Sequence, residues 1–180
     1  ALIVRTTSGS QKWNDIKGDK ITLYVPESFH YSDICMELGA GKMNVSGLDA
    51  DHILLKAGAG QINVEQLTAQ VLEANVGIGQ INMTDITVQN LDAEVGAGGM
   101  KAKGKVKGDA GVKCSMGSLD LRLSGSETDF NYHLIGTMGN ISLGGQDYNG
   151  VGMQRDIDND AGKSLTAECA MGSITIRFED

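Results

Sequence analysis

The stretch that decides the fold is Gly58-Ala59-Gly60-Gln61-Ile62-Asn63-Val64. Units of the same form begin at Gly39, Gly77 and Gly96, each with a Gly-x-Gly pair before alternating residues. The second glycines belong to one longer series: Gly41, Gly60, Gly79, Gly98, Gly117, Gly139 and Gly172. The spacing is 19 throughout the first five, and the last two follow at spacings of 22 and 33. A constant period of about 20 residues is typical of stacked repeat proteins.

Apolar residues recur at every second position within each unit, when the series glycine is numbered zero. Around Gly60 they occupy positions −7, −5, −3, −1, +2, +4 and +7, which are Ile53, Leu55, Ala57, Ala59, Ile62, Val64 and Leu67. A period of two predicts strands, which excludes helical repeats of similar length. We expect these positions to face the inside of a stack of coils, and the first glycine, at −2, to face outward.

The alternation changes phase at the series glycine, because inward positions are odd before it and even after it. A bend or bulge produces such a change, so we expect a corner there. Glycine suits a corner either because it adopts φ > 0 or because a side chain would crowd the turn. Gly60→Val should therefore disrupt the fold more than Lys103→Ala. The −1 residues are expected inside: Ala40, Ala59, Ile78 and Ala97.

Outward columns predict that the coils stack in register. Position −4 alternates acid and base, which sets Glu37 beside Lys56 and Glu94 beside Lys113 at a strand spacing of about 4.8 Å. Position +3 holds an asparagine ladder of the kind that stabilises parallel stacks. Its members are Asn44, Asn63 and Asn82, and the column continues with Lys101 and Asp120.

The chain is predicted to be one all-β domain over residues 1–180, a single parallel β-solenoid of about seven coils. A strand near 21–25 and half of the chain's aromatic residues (Trp13, Tyr24, Phe29 and Tyr31) precede the repeats, and they predict an N-terminal cap. The terminal charges at 177–180 are expected to blunt the other end. The segments are an N-terminal strand and cap (1–33), regular coils (34–110), and C-terminal coils (111–180) with insertions near 126–130 and 145–163.

Composition excludes several classes of protein. A net charge of −8 and a pI near 4.8 argue against nucleic acid as a partner, because phosphate binding needs a basic face. No apolar run long enough to span a bilayer and no signal peptide occur, so we expect any membrane attachment to come from an anchor before Ala1. Three cysteines without a CxxC motif fit neither a disulfide framework nor a zinc site. Cys114 and Cys169 are predicted to be small buried residues.

The second insertion contains one candidate metal site. Asp156, Asp158 and Asp160 have the spacing that opens an EF-hand loop, and three close carboxylates would bind Ca²⁺ weakly. The glycine, Gly162, falls one position later than that loop requires, and Ala167 stands where the loop has its final glutamate. The alternative is an acidic, solvated and partly disordered loop. Calcium is the only cofactor that the sequence suggests.

A second candidate site is a stripe of alternating lysines in coil four, formed by Lys101, Lys103, Lys105 and Lys107. Such a stripe would bind an anionic glycopolymer or a lipid headgroup. The alternative is a solvated face whose lysines pair with acids such as Asp120. The three histidines follow no ligand spacing and no catalytic motif occurs, so we expect no enzyme. A polysaccharide lyase or hydrolase is the enzymatic alternative, and it needs paired carboxylates or a basic catalytic residue in a groove.

The tandem G-x-G-x-I-x-V units and the closing segment at 171–178 resemble an adhesin family of bacterial envelope β-solenoids. The resemblance covers about residues 20 to 180, including 129–132, 138–141 and 148–150. It implies a parallel β-solenoid on the outer side of a bacterial membrane, in relatives often behind an N-terminal anchor. It carries over no catalytic or binding residue.

Together these observations predict a non-enzymatic, extracytoplasmic surface or adhesion-type module of a bacterium. Its expected partner is a surface protein or a cell-envelope polymer. The alternative is an envelope-stress or signalling accessory domain that senses a cell-wall or membrane component.

Overall fold

A computed structural model describes residues 2–5, by their backbone, and residues 30–179. The predicted strand near 21–25 and most of the predicted cap lie outside the described residues. Apart from a short 3-10 helix at Glu127–Asp129, the regular structure is all β. The strands are β1 (Leu2–Arg5), β2 (Tyr31–Leu38), β3 (Lys42–Ala57), β4 (Gln61–Val76), β5 (Gln80–Val95), β6 (Gly99–Val106), β7 (Ala110–Cys114), β8 (Ser118–Ser124), β9 (Asn131–Gly136), β10 (Asn140–Leu143), β11 (Gln146–Asn149), β12 (Met153–Ile157), β13 (Ser164–Cys169) and β14 (Ser173–Glu179).

The first coils stack as the repeat predicts. Strands β2 to β5 pair in parallel and in register, so that Met43, Ile62 and Ile81 are direct neighbours. The fold is a parallel β-solenoid of about five turns with a 19-residue repeat, and two further glycine corners extend it. We name the coils one to seven by their series glycines in chain order. On the outer face, the predicted ion pair places Lys56 Nζ 3.4 Å from Glu37 Oε1.

Each regular coil has three corners and encloses an apolar core. In coil two the corners fall at the Gly-x-Gly pair, at Gln66 with φ 59°, and near Gln70, where ladder pairing is interrupted. Leu55, Ile62 and Leu72 are fully buried inside the triangle. Burial of one such side chain stabilises the fold by about 1.5–3 kcal/mol. The buried residues of 30–179 form one continuous cluster along the stack axis, and none of them is charged.

The −1 residues face solvent, so the prediction that they lie inside is wrong. Ile78 is 72% exposed, and Ala40, Ala59 and Ala97 are not buried either. The phase change is spread over the three residues from −2 to 0. The series glycine takes the inward place instead, as buried Gly60 shows.

Crowding explains why the corner residue is glycine. A Cβ built on Gly79 would collide with the carbonyl oxygen of Gly60, and one on Gly172 would collide with that of Gly117. Of the series glycines only Gly41, in coil one, has a φ in the left-handed region, at 100°. The backbone of one corner therefore occupies the space into which a side chain of the next would point.

The C-terminal coils do not stack in chain order. Strand β13 lies between β7 and β9, and β14 lies between β8 and β10. In the ladder, Ala167 has Val112 on one side and Leu134 on the other. The spatial order is therefore one, two, three, four, five, seven, six. The predicted placement of Glu94 beside Lys113 is confirmed in the ladder of β5 and β7. Lys113 also has Glu168 of coil seven as its neighbour on the other side, with Nζ 3.6 Å from that carboxylate.

The second insertion caps the stack with antiparallel strands. Strand β11 pairs antiparallel with β10, and β12 pairs antiparallel with β9. Both cover coil six, which is the last coil in space. The expectation that residues 177–180 blunt an exposed end stays a prediction, because β14 pairs with β10 only as far as Ile176. Arg177 and Glu179 belong to β14, whose neighbour across from β10 is β8.

Candidate functional site

Four basic side chains meet on one outer face where coils four, five and seven adjoin. Lys103, Arg122 and Arg177 share position +5 and are direct neighbours on β6, β8 and β14. Lys101 lies two positions before Lys103 on the same face, and its ladder partner is Asp120. We call Lys101, Lys103, Arg122 and Arg177 the basic cluster. Like charges at a strand spacing of about 4.8 Å repel one another, so the arrangement needs compensation.

Two carboxylates supply that compensation. Asp120 Oδ2 lies 3.5 Å from Arg122 and 3.7 Å from Arg177, while Glu179 lies 2.6 Å from Lys103 Nζ and 3.6 Å from Arg122. The hydrogen bond from Lys103 lowers the pKa of the Glu179 carboxyl, which favours its ionised form. Four cations face two anions here, so the face carries an excess of positive charge in an acidic protein.

The surface beside the cluster is a shallow groove with polar and apolar lining, the latter from Met83 and Ala102. Asn82, Thr84 and Lys101 line it together with Lys103, Asp120 and Arg122. Its floor continues into the predicted asparagine ladder, in which Asn63 Nδ2 donates to Asn44 Oδ1 at 2.8 Å. Asn82 Nδ2 donates to Asn63 Oδ1 at 2.9 Å. The ladder is confirmed, and it joins the basic cluster in one column.

The predicted lysine stripe is divided by a corner. Lys101 and Lys103 precede Gly104, where the pairing register shifts, and Lys105 follows it as the neighbour of Thr87 on the next side. The structure thus brings together two of the four lysines and adds two arginines. Arg122 and Arg177 share the +5 position with Lys103, so the repeat numbering alone already places the three residues in one column. Only the spatial order of the coils makes the three adjacent.

The three aspartates of the second insertion are not gathered around one point. Asp156, on β12, makes a close side-chain contact with His133 of β9. Asp158 Oδ1 instead accepts the backbone N–H of Asp160 at 3.0 Å. Within residues 2–5 and 30–179, no three His, Cys, Asp or Glu side chains are grouped to hold a metal ion. Calcium binding at these residues stays a prediction.

The segment that carries these aspartates is held by defined hydrogen bonds rather than left as a loose loop. Asn131 Oδ1 accepts the N–H groups of Asn159, at 2.8 Å, and of Ala161, at 3.1 Å. Asn131 Nδ2 donates to the Ala161 carbonyl, and Asn159 Nδ2 donates to the Phe130 carbonyl. Phe130 is itself buried against Phe178, under the ammonium group of Lys163. The first insertion therefore anchors the second.

The prediction that Cys114 and Cys169 are buried is confirmed. They are ladder partners on β7 and β13, and both are free thiols. Burial raises the pKa of both thiols, so they stay protonated at neutral pH. Their adjacency could not be predicted without the exchange of coils six and seven.

Two of the three histidines lie at opposite ends of the described stack, and the third, His52, is the ladder partner of Asp33 on β2. His30 contacts Asp49 and Asp51 beside coil one, whereas His133 contacts Asp156 in the cap of coil six. Neither has a nucleophilic cysteine or serine among these contacts. The described histidines therefore do not build a shared catalytic group.

Comparisons with known proteins identify the family. A search of curated proteins and a search of solved structures each found no match. In residues 2–5 and 30–179, no helix has the length and apolar character needed to cross a lipid bilayer. A family model, described as Toastrack DUF4097, matches residues 2–154 and so covers most of the solenoid. The resemblance to β-solenoid families holds at the level of the fold, and the chain belongs to the Toastrack DUF4097 family.

Proposed function

We propose that this protein is a non-enzymatic, adhesion-type binding module that acts outside the cytoplasm. Its partner in this proposal is an anionic glycopolymer that lies across the basic cluster. The observation that carries the proposal is the concentration of Lys101, Lys103, Arg122 and Arg177 on one face of a protein with net charge −8. A local excess of one sign attracts ligands of the opposite sign even when the net charge opposes them.

The orientation of the ligand follows from the columns. The asparagine ladder offers amide groups that hydrogen-bond to sugar hydroxyls, and the basic cluster offers fixed charges further along the same column. A polymer running parallel to the stack axis would meet Asn44, Asn63 and Asn82 before it meets Lys101. A rigid stack holds both sets in place, which reduces the entropy lost on binding.

The acids within the cluster favour specific binding over nonspecific electrostatic binding. Asp120 and Glu179 hold the arginine side chains in place, and part of each guanidinium stays free to donate to a ligand. Asp120 Oδ1 is buried and accepts no hydrogen bond from any described residue. The other oxygen, Oδ2, is the one that contacts the two guanidinium groups.

The same acids argue against the hydrolase alternative. A glycosidase needs one carboxyl group with a raised pKa to protonate the leaving oxygen. Glu179 has a lowered pKa, and Asp120 contacts two guanidinium groups. Neither is suited to act as the acid, so we propose binding without turnover.

The test compares two triple variants that remove equal charge. Lys101→Gln/Arg122→Gln/Arg177→Gln removes three cations of the cluster, and Lys42→Gln/Lys105→Gln/Lys107→Gln removes three exposed cations elsewhere. Binding is measured by calorimetry against a sulfated glycosaminoglycan, a polyglycerol phosphate and neutral dextran. We expect the cluster variant to lose at least about tenfold in affinity for a polyanion, and the control variant to lose less than about twofold.

The polymers also separate two sources of ligand. Preference for the glycosaminoglycan supports adhesion to a host matrix, whereas preference for polyglycerol phosphate supports sensing of a bacterial wall. Affinity should fall as salt rises, since the contact is electrostatic. Equal binding by both variants, or no binding to either polyanion, would overturn the proposal.

A further inference from the structure

We propose that Met116, Met171 and Met138 form a binding site for a soft monovalent cation, Cu(I) or Ag(I). These residues, which we call the methionine ladder, occupy the exposed −1 position of coils five, seven and six. The site is separate from the basic cluster and does not depend on the proposed function.

The backbone places the three residues on successive rungs. Met116 N donates to the Gly96 carbonyl at 2.8 Å, Met171 N to Ser115 at 2.7 Å, and Met138 N to Ala170 at 2.7 Å. Adjacent rungs of such a ladder are about 4.8 Å apart. Met171 is therefore the central member, with one methionine on either side.

The side chains point into solvent at this corner. Met116 and Met138 are each 61% exposed, and Met171 is 54% exposed. Their sulfur atoms are accessible to an ion from outside. The long and flexible methionine side chain lets three thioethers turn toward one point between the rungs.

Packing does not explain why methionine stands here. The same corner position holds Ala40, Ala59 and Ala97 in three other coils and exposed Ile78 in a fourth, so the fold accepts side chains of different size there and does not require methionine. All eight methionines of the chain lie within 30–179, and the other five are buried or partly buried. The only three that are well exposed are neighbours in space, although they are far apart in the chain.

The chemistry of the ladder selects the ion. Thioethers are soft ligands, which favour Cu(I) and Ag(I) over Ca²⁺, Mg²⁺ or Zn²⁺. They are neutral, so only the ion's own single charge is added to the corner. The corner segments 115–118, 170–173 and 137–140 contain no lysine or arginine, and the net charge of −8 favours the approach of a cation.

The buried thiols do not compete for this position. Cys114 and Cys169 lie at −3 on the inward face, both 2% exposed. An ion that approaches from solvent therefore meets the exposed thioethers and not these thiols. The remaining cysteine, Cys35, lies in coil one, at the other end of the described stack.

Silver titration followed by methionine-methyl NMR tests the proposal, because Ag(I) does not change oxidation state. The protein carries Cys35→Ser to remove the one thiol that is not buried. We expect the methyl signals of Met116, Met138 and Met171 to shift together and to saturate at one equivalent. The signals of the other five methionines should not move.

Matched variants complete the test. Met116→Leu/Met138→Leu/Met171→Leu keeps apolar volume and should lose at least about tenfold in Ag(I) affinity while it keeps its melting temperature. Met43→Leu/Met153→Leu, outside the ladder, should bind as the parent does. Unshifted ladder methyls at one equivalent, or equal Ag(I) affinity in the ladder variant and the parent, would overturn the proposal.

Discussion

Coils two to four stack in the order of the chain, whereas coils six and seven exchange places. Both regions use the same glycine corner and the same inward columns. They differ in their connections, because the series glycines of the regular coils keep a spacing of 19, while Gly172 follows Gly139 at a spacing of 33. A repeat thus determines how two coils pair once they meet. The connections decide which coils meet.

The cap explains why coil seven takes the inner place. Strands β11 and β12 fold back antiparallel on β10 and β9, so one side of coil six is already covered. The other side of coil six remains available, and β13 and β14 enter there as parallel strands. A stack in chain order would place coil seven on the side of coil six that the cap strands already occupy.

The largest effect should come from filling the corner. Gly79→Ala, in the regular region, and Gly172→Ala, in the exchanged region, both place a Cβ against a carbonyl oxygen of the neighbouring corner. We expect each to lower the free energy of unfolding by about 3 kcal/mol or more, because the backbone must move. Urea denaturation followed by circular dichroism measures both.

Gly39→Ala is the matched control for these two variants. No atom lies within 4 Å of a Cβ placed there, so its effect should stay within about 0.5 kcal/mol. If Gly79→Ala were as harmless as Gly39→Ala, crowding would not be the reason for glycine. If only Gly172→Ala were harmless, the two regions would not share the same corner.

The anchoring of the second insertion should give the next largest effect. Asn131→Ala removes three hydrogen bonds that hold Asn159 and Ala161, and we expect a loss of about 2 kcal/mol in unfolding free energy. Faster amide exchange over 153–161 should accompany it. Asn149→Ala, an exposed residue of β11, serves as the control. Unchanged exchange in Asn131→Ala would mean that the asparagine does not hold the cap.

The asparagine ladder belongs to the regular region alone and should contribute less. Asn63→Ala breaks the links to both Asn44 and Asn82, with an expected loss of about 1 kcal/mol. Asn44→Ala breaks only one of them and should lose roughly half as much. Thermal denaturation of the two variants measures the difference. A larger loss in Asn44→Ala would contradict an in-register ladder.

The smallest effect should be a pH dependence at the first described coil. Hydrogen bonds to Asp49 and Asp51 raise the pKa of His30 above its ordinary value. A raised folded-state pKa stabilises the fold below the unfolded pKa of about 6.5, and this stability is lost as pH rises through the folded-state pKa. The melting temperature of the wild type should lie slightly above that of His30→Gln near pH 5.5, and the two should be equal near pH 8.5. A difference in melting temperature that increased with pH would contradict the raised pKa of His30.

Periodicity made the β-solenoid, its repeat register and the Asn44–Asn63–Asn82 ladder predictable, because each depends on neighbours one repeat apart. The corner was harder to predict. Alanine at −1 is compatible with either face, and the large apolar residues that are exposed there, such as Ile78, show that the phase change covers three residues.

The candidate site was predictable only in part. Lys101 and Lys103 stood out in the sequence because they alternate along one strand. Arg122 and Arg177 lie far apart in the chain, and they become neighbours only through the insertion of coil seven. The exchange also sets the order of the methionine ladder, since it makes Met171 the central member, where a stack in chain order would place Met138.

The exchange of coils six and seven can be tested by cross-strand nuclear Overhauser effects, which report the strands that are direct neighbours. In a uniformly labelled sample, backbone contacts should link Lys113 with Glu168, and Glu168 with Ile135. No such contact should link Lys113 with Ile135. Direct contacts between Lys113 and Ile135, with Glu168 in contact with Ile135 alone, would contradict the exchange. They would show that the coils stack in the order of the chain.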